Sequence, residues 1–249
     1  SHAGHLMFEP WRVETGQGGP YRVYSPYWRS IRGRDVGAPS ATVTHMTGPT
    51  NWPDSLSIDA LNMGAGMRGG ASVVARFAAV GERAALDRLH GFLDEKLARY
   101  ADGRDIPGLD VTSGLSENLT YGEVSPRTCW LAGQRARDEG NPGADKFLSE
   151  LAWREFAYHL LWHFPALATA NWRDQWDRFP WRDATENSER WQQGRTGVAF
   201  VDAAMREMYV TGTMHNRARM IAASYLTKHL MTNWKIGLEW FADCLTDWD

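Results

Sequence analysis

From about residue 57 onward, apolar side chains recur every three to four positions. Leu86, Leu89, Phe92, Leu93, Leu97 and Tyr100 predict an amphipathic helix of about five turns, halted at Asp102-Gly103. A loop, Arg104 to Val111, follows. Thr112-Ser113-Gly114-Leu115-Ser116-Glu117 then has the character of a helix start, with hydroxyl caps and an acid in the first turn. Further helices are predicted over residues 145–163, 197–211, 214–232 and 235–245. Val198, Val201, Met205, Met208 and Tyr209 form the core face of the 197–211 helix, and Gly212 ends it. No alternating strand pattern is found after residue 57. Residues 1–56 are different. They carry many Gly and Pro and little helical periodicity, so Trp11, Tyr21, Tyr24, Pro26, Tyr27 and Trp28 read as an extended arm laid over a surface. The abrupt Ser1-His2 reads as a cut point or a cloning remnant. The expected class is all-α, a compact multi-helix domain over 57–249 with a connector arm over 1–56.

Composition narrows this picture. The 249 residues, 43% hydrophobic and 23% charged, are those of an ordinary globular chain, which excludes long disorder, collagen and coiled coil. No stretch approaches the roughly 18 uncharged apolar residues of a membrane helix, so no membrane partner is expected. Cys129 and Cys244 are too few for a disulfide scaffold or a four-thiolate cluster, and a reducing cytoplasm is the expected compartment. The net charge of -3 means that any polyanion site must come from local clustering of Arg. The 13 Trp are several times an average share; most are expected in the core, with stacking or electron hopping as the alternative uses.

Phosphate-loop, dinucleotide, nucleophile-elbow and HExxH signatures are missing. His159 and His163 are four apart, as zinc ligands on one helix face are, but no third ligand is evident and no metal is expected. The hydroxyl run Thr112–Ser116 at a helix N-terminus suits an anion, because free N–H groups and the positive dipole end point there; plain capping is the commoner use. On the 145–163 helix, Glu150, Trp153, Arg154 and Ala157 share one stripe. A carboxylate, an indole and a guanidinium side by side make either a solvated face or the wall of a site for a flat, hydrogen-bonding ligand. In Thr211–Met220, Asn216, Arg219 and Met220 share a face; Asn suits base edges or a flavin ring, and Arg suits phosphates.

These stretches, in order, resemble the flavin-binding domain of the photolyase/cryptochrome family. The matching motifs are Thr112-Ser113-x-Leu115-Ser116, Gly122-Glu123-x-Ser125-Pro126-Arg127, Glu150-Leu151-x-Trp153-Arg154-Glu155-Phe156, Trp191-x-x-Gly194-x-Thr196-Gly197-x-x-x-Val201-Asp202-Ala203-x-Met205-Arg206, Thr211-Gly212-x-Met214-His215-Asn216-Arg217-x-Arg219-Met220 and Ala223-Ser224-x-Leu226-x-Lys228. The resemblance runs from about Tyr21 to Asp249. It implies an all-helical domain holding FAD, with the family's antenna domain, and hence its pigment, and the last segment of the helical domain lying outside this sequence.

By this resemblance Tyr100, Thr112, Ser113, Leu115, Ser116, Glu150, Arg154, Asn216, Arg219, Asp247 and Asp249 are cofactor-binding positions. Gly114 also belongs to the diphosphate loop but stands where relatives often have Arg. Thr213 and Phe147 stand where many relatives have Trp. An Arg219–Asp247 ion pair beside the flavin is implied. Glu150 resembles the carboxyl that hydrogen-bonds a damaged pyrimidine, Trp153 the indole that stacks on it and Met220 a contact on the pocket floor. Arg104 and Arg217 resemble phosphate-binding arginines of a basic rim. Trp181 and Trp234 resemble the outer and middle members of a tryptophan relay. The implied activity is light-driven repair of a flipped-out cyclobutane pyrimidine dimer in DNA by reduced FAD, with Glu150, Asn216, Trp181 and Trp234 as the catalytic group and a monomer as the expected state. A cryptochrome photoreceptor of the same fold and a cofactor-free helical nucleic-acid module are the two rival readings.

Overall fold

The computed structural model describes residues 4–41 and 43–249, and Ser1-His2 lies outside them. Among the described residues the regular structure is helical, with one isolated bridge between Arg182 and Thr232 as the only β pairing. The all-α expectation holds.

The arm is not wholly extended. It carries helix α1, Tyr24–Ile31, which buries Tyr27 and Ile31. Two turns are too short to show a 3.6-residue period. Pro26 fits in the first turn because an N–H there has no helical acceptor. The helical pattern, conversely, does not begin at 57. Between residues 43 and 69 the chain is largely exposed, with single 3₁₀ turns at Asp59–Leu61 and Ala65–Met67, before the short α2, Gly70–Val74. Gly64, Gly66, Gly69 and Gly70 explain this, since each glycine disfavours helix by about 1 kcal/mol against alanine.

The predicted five-turn helix forms as α3, Glu82–Gly91, a π-helical turn, Phe92–Lys96, and α4, Leu97–Gly103. Phe92 and Leu97 are five residues apart, a spacing that a π turn brings onto one face, and both are buried. A short α5, Ser116–Thr120, follows. Besides α1, two further helices escaped the sequence pattern. In α6, Pro126–Asp138, the Ser125 hydroxyl accepts from the Arg127 N–H and Pro126 takes the first position. In α8, Glu186–Gln192, Thr185 and Ser188 form a capping box. The 20-residue α7, Ala144–His163, packs on α1, α4 and α6.

The second half comprises α9, Ala199–Thr211, α10, Asn216–Ser224, with a π turn Tyr225–His229, and α11, Trp234–Cys244. Gly212 ends α9 at φ 74°, a left-handed cap that a side chain would strain. The core face of α9 is Val201, Ala204, Met205 and Met208; Val198 and Tyr209, expected on it, are exposed. Val198 precedes the helix, and Tyr209 points about 100° away from Met208.

Two hydrophobic clusters result. One joins the arm's Val13, Tyr27 and Ile31 to Phe92, Trp130, Leu148 and Phe156. The other gathers Trp191, Val201, Met205, Met208, Met214 and Leu226. The tryptophans do not follow the expected core placement. Trp130 and Trp191 are fully buried, whereas seven of the 13 are exposed, which leaves indole faces free for stacking.

Candidate functional site

A cleft of about 820 Å³ opens between the loop after α4 and the start of α10. A pocket of about 300 Å³ adjoins it under α7. Between them they bring together Tyr100, Arg104, the Thr112–Ser116 loop, Glu150, Arg154, Asn216, Arg219, Asp247 and Asp249. These residues span 150 positions of sequence.

The Thr112–Ser116 wall is set by its backbone. Gly114, which stands where relatives often have Arg, has φ 64°, a left-handed conformation that glycine adopts without strain. Its carbonyl accepts from Arg88 Nη1 at 2.9 Å. Arg88 also donates to Asn118 Oδ1 and pairs with Glu117. Asn118 in turn donates to Glu123 Oε2 and to the Ala79 carbonyl. Sequence reasoning passed over Arg88 and Asn118, because nothing local marks an arginine that acts 26 residues away. The first N–H groups of α5 have no helical carbonyl to donate to and complete this wall with hydroxyls on either side.

The opposite wall is the start of α10. His215 Nδ1 accepts from the Arg217 N–H at 3.1 Å, while its Nε2 is buried without a partner among the described residues. Arg219 donates to the Met214 carbonyl and through Nη2 to both Asp247 oxygens, at 3.0 and 2.7 Å. Asp247 also ties the walls together, since its carbonyl accepts from Thr120 Oγ1.

On α7, Glu150 accepts from Arg104 Nη1 at 2.7 Å and pairs with Lys146 at 3.0 Å. Arg104 therefore does not stand on an outer basic rim. Its side chain is 9% exposed, its guanidinium lies 5.7 Å over the Tyr100 ring, and it serves as the floor beneath Glu150. Burial pushes the Tyr100 hydroxyl up to about 12, against the pull of Arg104. Trp153 is 45% exposed and stacks on Tyr24 at 3.7 Å and 8°. Tyr24 donates to the Ser149 carbonyl, so α1 of the arm backs the indole. Arg217 and Met220 line neither cavity; they follow the lining residues Asn216 and Arg219 on α10, are joined by a contact of Arg217 Nη1 with the Met220 sulfur, and Arg217 pairs with Asp105.

Trp181 and Trp234 line neither cavity. The pairing of Arg182 with Met231 and Asn233 lays their segments side by side. The Trp234 indole donates to Asn171 Oδ1 and that of Trp181 to the Trp176 carbonyl.

The other side of α7 holds the arm. Glu155, with no exposed side-chain surface, accepts the Met7 and Phe8 N–H groups at 2.8 and 3.0 Å. Burial pushes its carboxyl up to about 7, against those two bonds and Arg154. His159 accepts the Tyr21 N–H through Nε2, and His163 meets the Pro10 carbonyl. The pair that resembled zinc ligands is thus committed to the backbone of the arm.

Comparison with known proteins follows the same geometry. Residues 147–249 match the FAD binding domain of DNA photolyase. The chain is 43% identical to the deoxyribodipyrimidine photo-lyase of Agrobacterium fabrum, over 100% of this chain and 52% of that protein. It is 37% identical to the one from Synechococcus sp., over 98% and 52%. The crystal structure of a bacterial class III photolyase from Agrobacterium tumefaciens superposes with a TM-score of 0.93 at 42% identity, covering 98% of this chain and 51% of that one. The Synechocystis sp. PCC6803 cryptochrome shares the fold, with a TM-score of 0.74 at 24% identity over 99% of this chain and 52% of that one. The chain spans about half the length of the curated relatives it matches.

Proposed function

We propose, from the premise that the chain belongs to the photolyase/cryptochrome family through its FAD-binding helical domain, that it holds FAD in the cleft and serves light-driven repair of cyclobutane pyrimidine dimers in DNA. The observation that carries this reading is convergence. An anion-suited loop and the Arg219–Asp247 pair line the cleft, and the carboxyl of Glu150 on α7 lines the pocket that adjoins it.

The residues present fit the cofactor. The cleft lies within the roughly 300–1,000 Å³ of small-molecule sites. Thr112, Ser113, Ser116 and the first N–H groups of α5 suit a diphosphate. The unpartnered His215 Nε2 and the Asn216 amide offer hydrogen bonds to a polar ring. Arg219, held by Asp247, supplies a fixed positive charge that needs no reorganisation. FAD bound there in reduced form would supply light-driven electron chemistry, an electron lent to the dimer and returned as its cyclobutane ring opens.

Everything else falls to side chains of the chain. Glu150 accepts a hydrogen bond from the pyrimidine edge, Trp153 offers its ring for stacking, and the exposed Met220 adds an apolar contact beside them. Photolyases are themselves an example of base flipping, whose unstacking costs about a few kcal/mol, least for a damaged base. Stacking on Trp153, worth about 1–3 kcal/mol per base, offsets much of that. Arg217 takes a phosphate. Trp181 and Trp234, the latter opening α11, are read as relay positions.

The test is direct. The purified chain supplied with FAD should show bound-flavin absorbance and, after reduction, convert a thymine-dimer duplex to intact thymines under blue light but not in the dark. Bound flavin without repair would place the chain with the photoreceptors, and no bound flavin would sink the reading.

A further inference from the structure

Next to Arg104, which lines the cleft, stands an acid that the proposed function does not use. Asp105 follows the end of α4, whose dipole favours a cation there, so helix stabilisation does not account for it. Its carboxylate instead reaches across to α10. Asp105 Oδ1 accepts from Arg217 Nε at 3.0 Å, and Oδ2 lies 2.8 Å from Nη2. This is the two-pronged geometry in which a guanidinium also grips a phosphate. The carboxylate and a DNA phosphate therefore compete for the same two N–H groups.

Asp105 has somewhere to go when displaced. Its Oδ1 is 3.8 Å from Arg104 Nε, and Arg104 is anchored at its other end by Glu150. The exchange leaves no buried charge alone, since the two side chains are 36% and 46% exposed. The Arg217 hydrogen bond holds the Asp105 carboxyl below its ordinary range, so the acid stays charged wherever DNA is bound.

We propose that Asp105 sets the DNA affinity of this chain by occupying Arg217 until a phosphate displaces it. The proposal rests on the reading of Arg217 as a phosphate contact. Because that contact is made to the backbone, the masking applies equally to damaged and undamaged DNA. It limits binding to undamaged duplex without altering the preference for the lesion.

Fluorescence anisotropy over a KCl series tests this, with a duplex carrying one thymine dimer and the same duplex undamaged as probes. Asp105→Asn should tighten both by about two- to five-fold, the weight of an exposed ion pair. It should steepen the salt slope by up to about one, because Arg217 then releases a counterion instead of an internal partner. In an Arg217→Ala background the same change should give no tightening, and Asp105→Glu should restore parental affinity. A gain that persists without Arg217 would make Asp105 a general charge effect and overturn the proposal. So would unchanged or weaker binding by Asp105→Asn at an unchanged Tm. A lowered Tm and loosened flavin would show a clasp between the cleft walls instead. If Arg217→Ala alone binds both duplexes like the parent, the phosphate reading fails rather than the acid–arginine coupling.

Discussion

The two sides of α7 carry the same kinds of side chain and use them in opposite ways. Toward the cleft stands Glu150, with Trp153 half-exposed at the border where α1 backs it; toward the arm stand Glu155 and His159. Glu150 is paired with two cationic side chains and remains partly accessible, and Trp153 keeps nearly half its surface in solvent. Glu155 and His159 are closed off and end on backbone N–H groups of a largely non-helical segment. That segment has few partners of its own, and a buried N–H without an acceptor costs as much as a lost hydrogen bond. Polar groups facing backbone become fixed parts of the fold, whereas polar groups facing other side chains stay exchangeable for a ligand. Arg154 belongs to both sides, reaching the His5 carbonyl and Asp249.

The comparison is broken most directly through the two carboxylates. Glu155→Ala strands the Met7 and Phe8 N–H groups, and should cost about 2–4 kcal/mol, a fall of roughly 5–15 °C in Tm by calorimetry. Glu150→Gln keeps an acceptor for Arg104 and should stay within about 1 kcal/mol of the parent, while weakening selective dimer binding by roughly 1–3 kcal/mol. Equal stability losses in the two variants would erase the distinction.

Arg154 and Asn216 sharpen it further. In the proposed site each would offer the cofactor a donor, and its removal should cost about 1–3 kcal/mol of flavin affinity, measured as FAD retained after gel filtration. Arg154→Ala should lower Tm as well, because it also releases the arm; Asn216→Ala should not. Unchanged flavin occupancy in both would count against the site.

The smallest effect is in pH. The Glu155 carboxyl lies near 7, above its ordinary 4.5, so its share of stability is complete below 4.5 and fades as pH rises through 7. Burial, aided by His163, lowers the His159 imidazole to about 4, so its share is complete above 6.5 and fades as pH falls through 4. The slopes oppose each other between 4.5 and 6.5. In Tm profiles, Glu155→Gln should flatten the limb above 6.5 and His159→Gln the limb below 4.5. A parental limb surviving in either variant would assign it to another group.

Local signals in the chain determined much of this protein. The period of α7 and α9, the glycine stop at 212 and the hydroxyl-rich turn at 112–116 depend on neighbours within a few residues, and they are legible for that reason. Glu150, Arg154, Asn216 and Arg219 are legible in ordered motifs, whereas Arg88 and the cleft acid Glu117 are not. The short α1 and α8 were missed because two turns cannot establish a period against glycine and proline flanks. Only the tertiary structure decided which side chains face one another. It placed Arg104 under Glu150, Tyr24 behind Trp153, Asp105 against Arg217 and the two histidines on the arm. Partners such as Glu155 and Met7, 148 residues apart, meet because burial of Val13, Tyr27 and Ile31 docks the arm on α7. That docking is a sum over many apolar contacts, and no short stretch of sequence contains it.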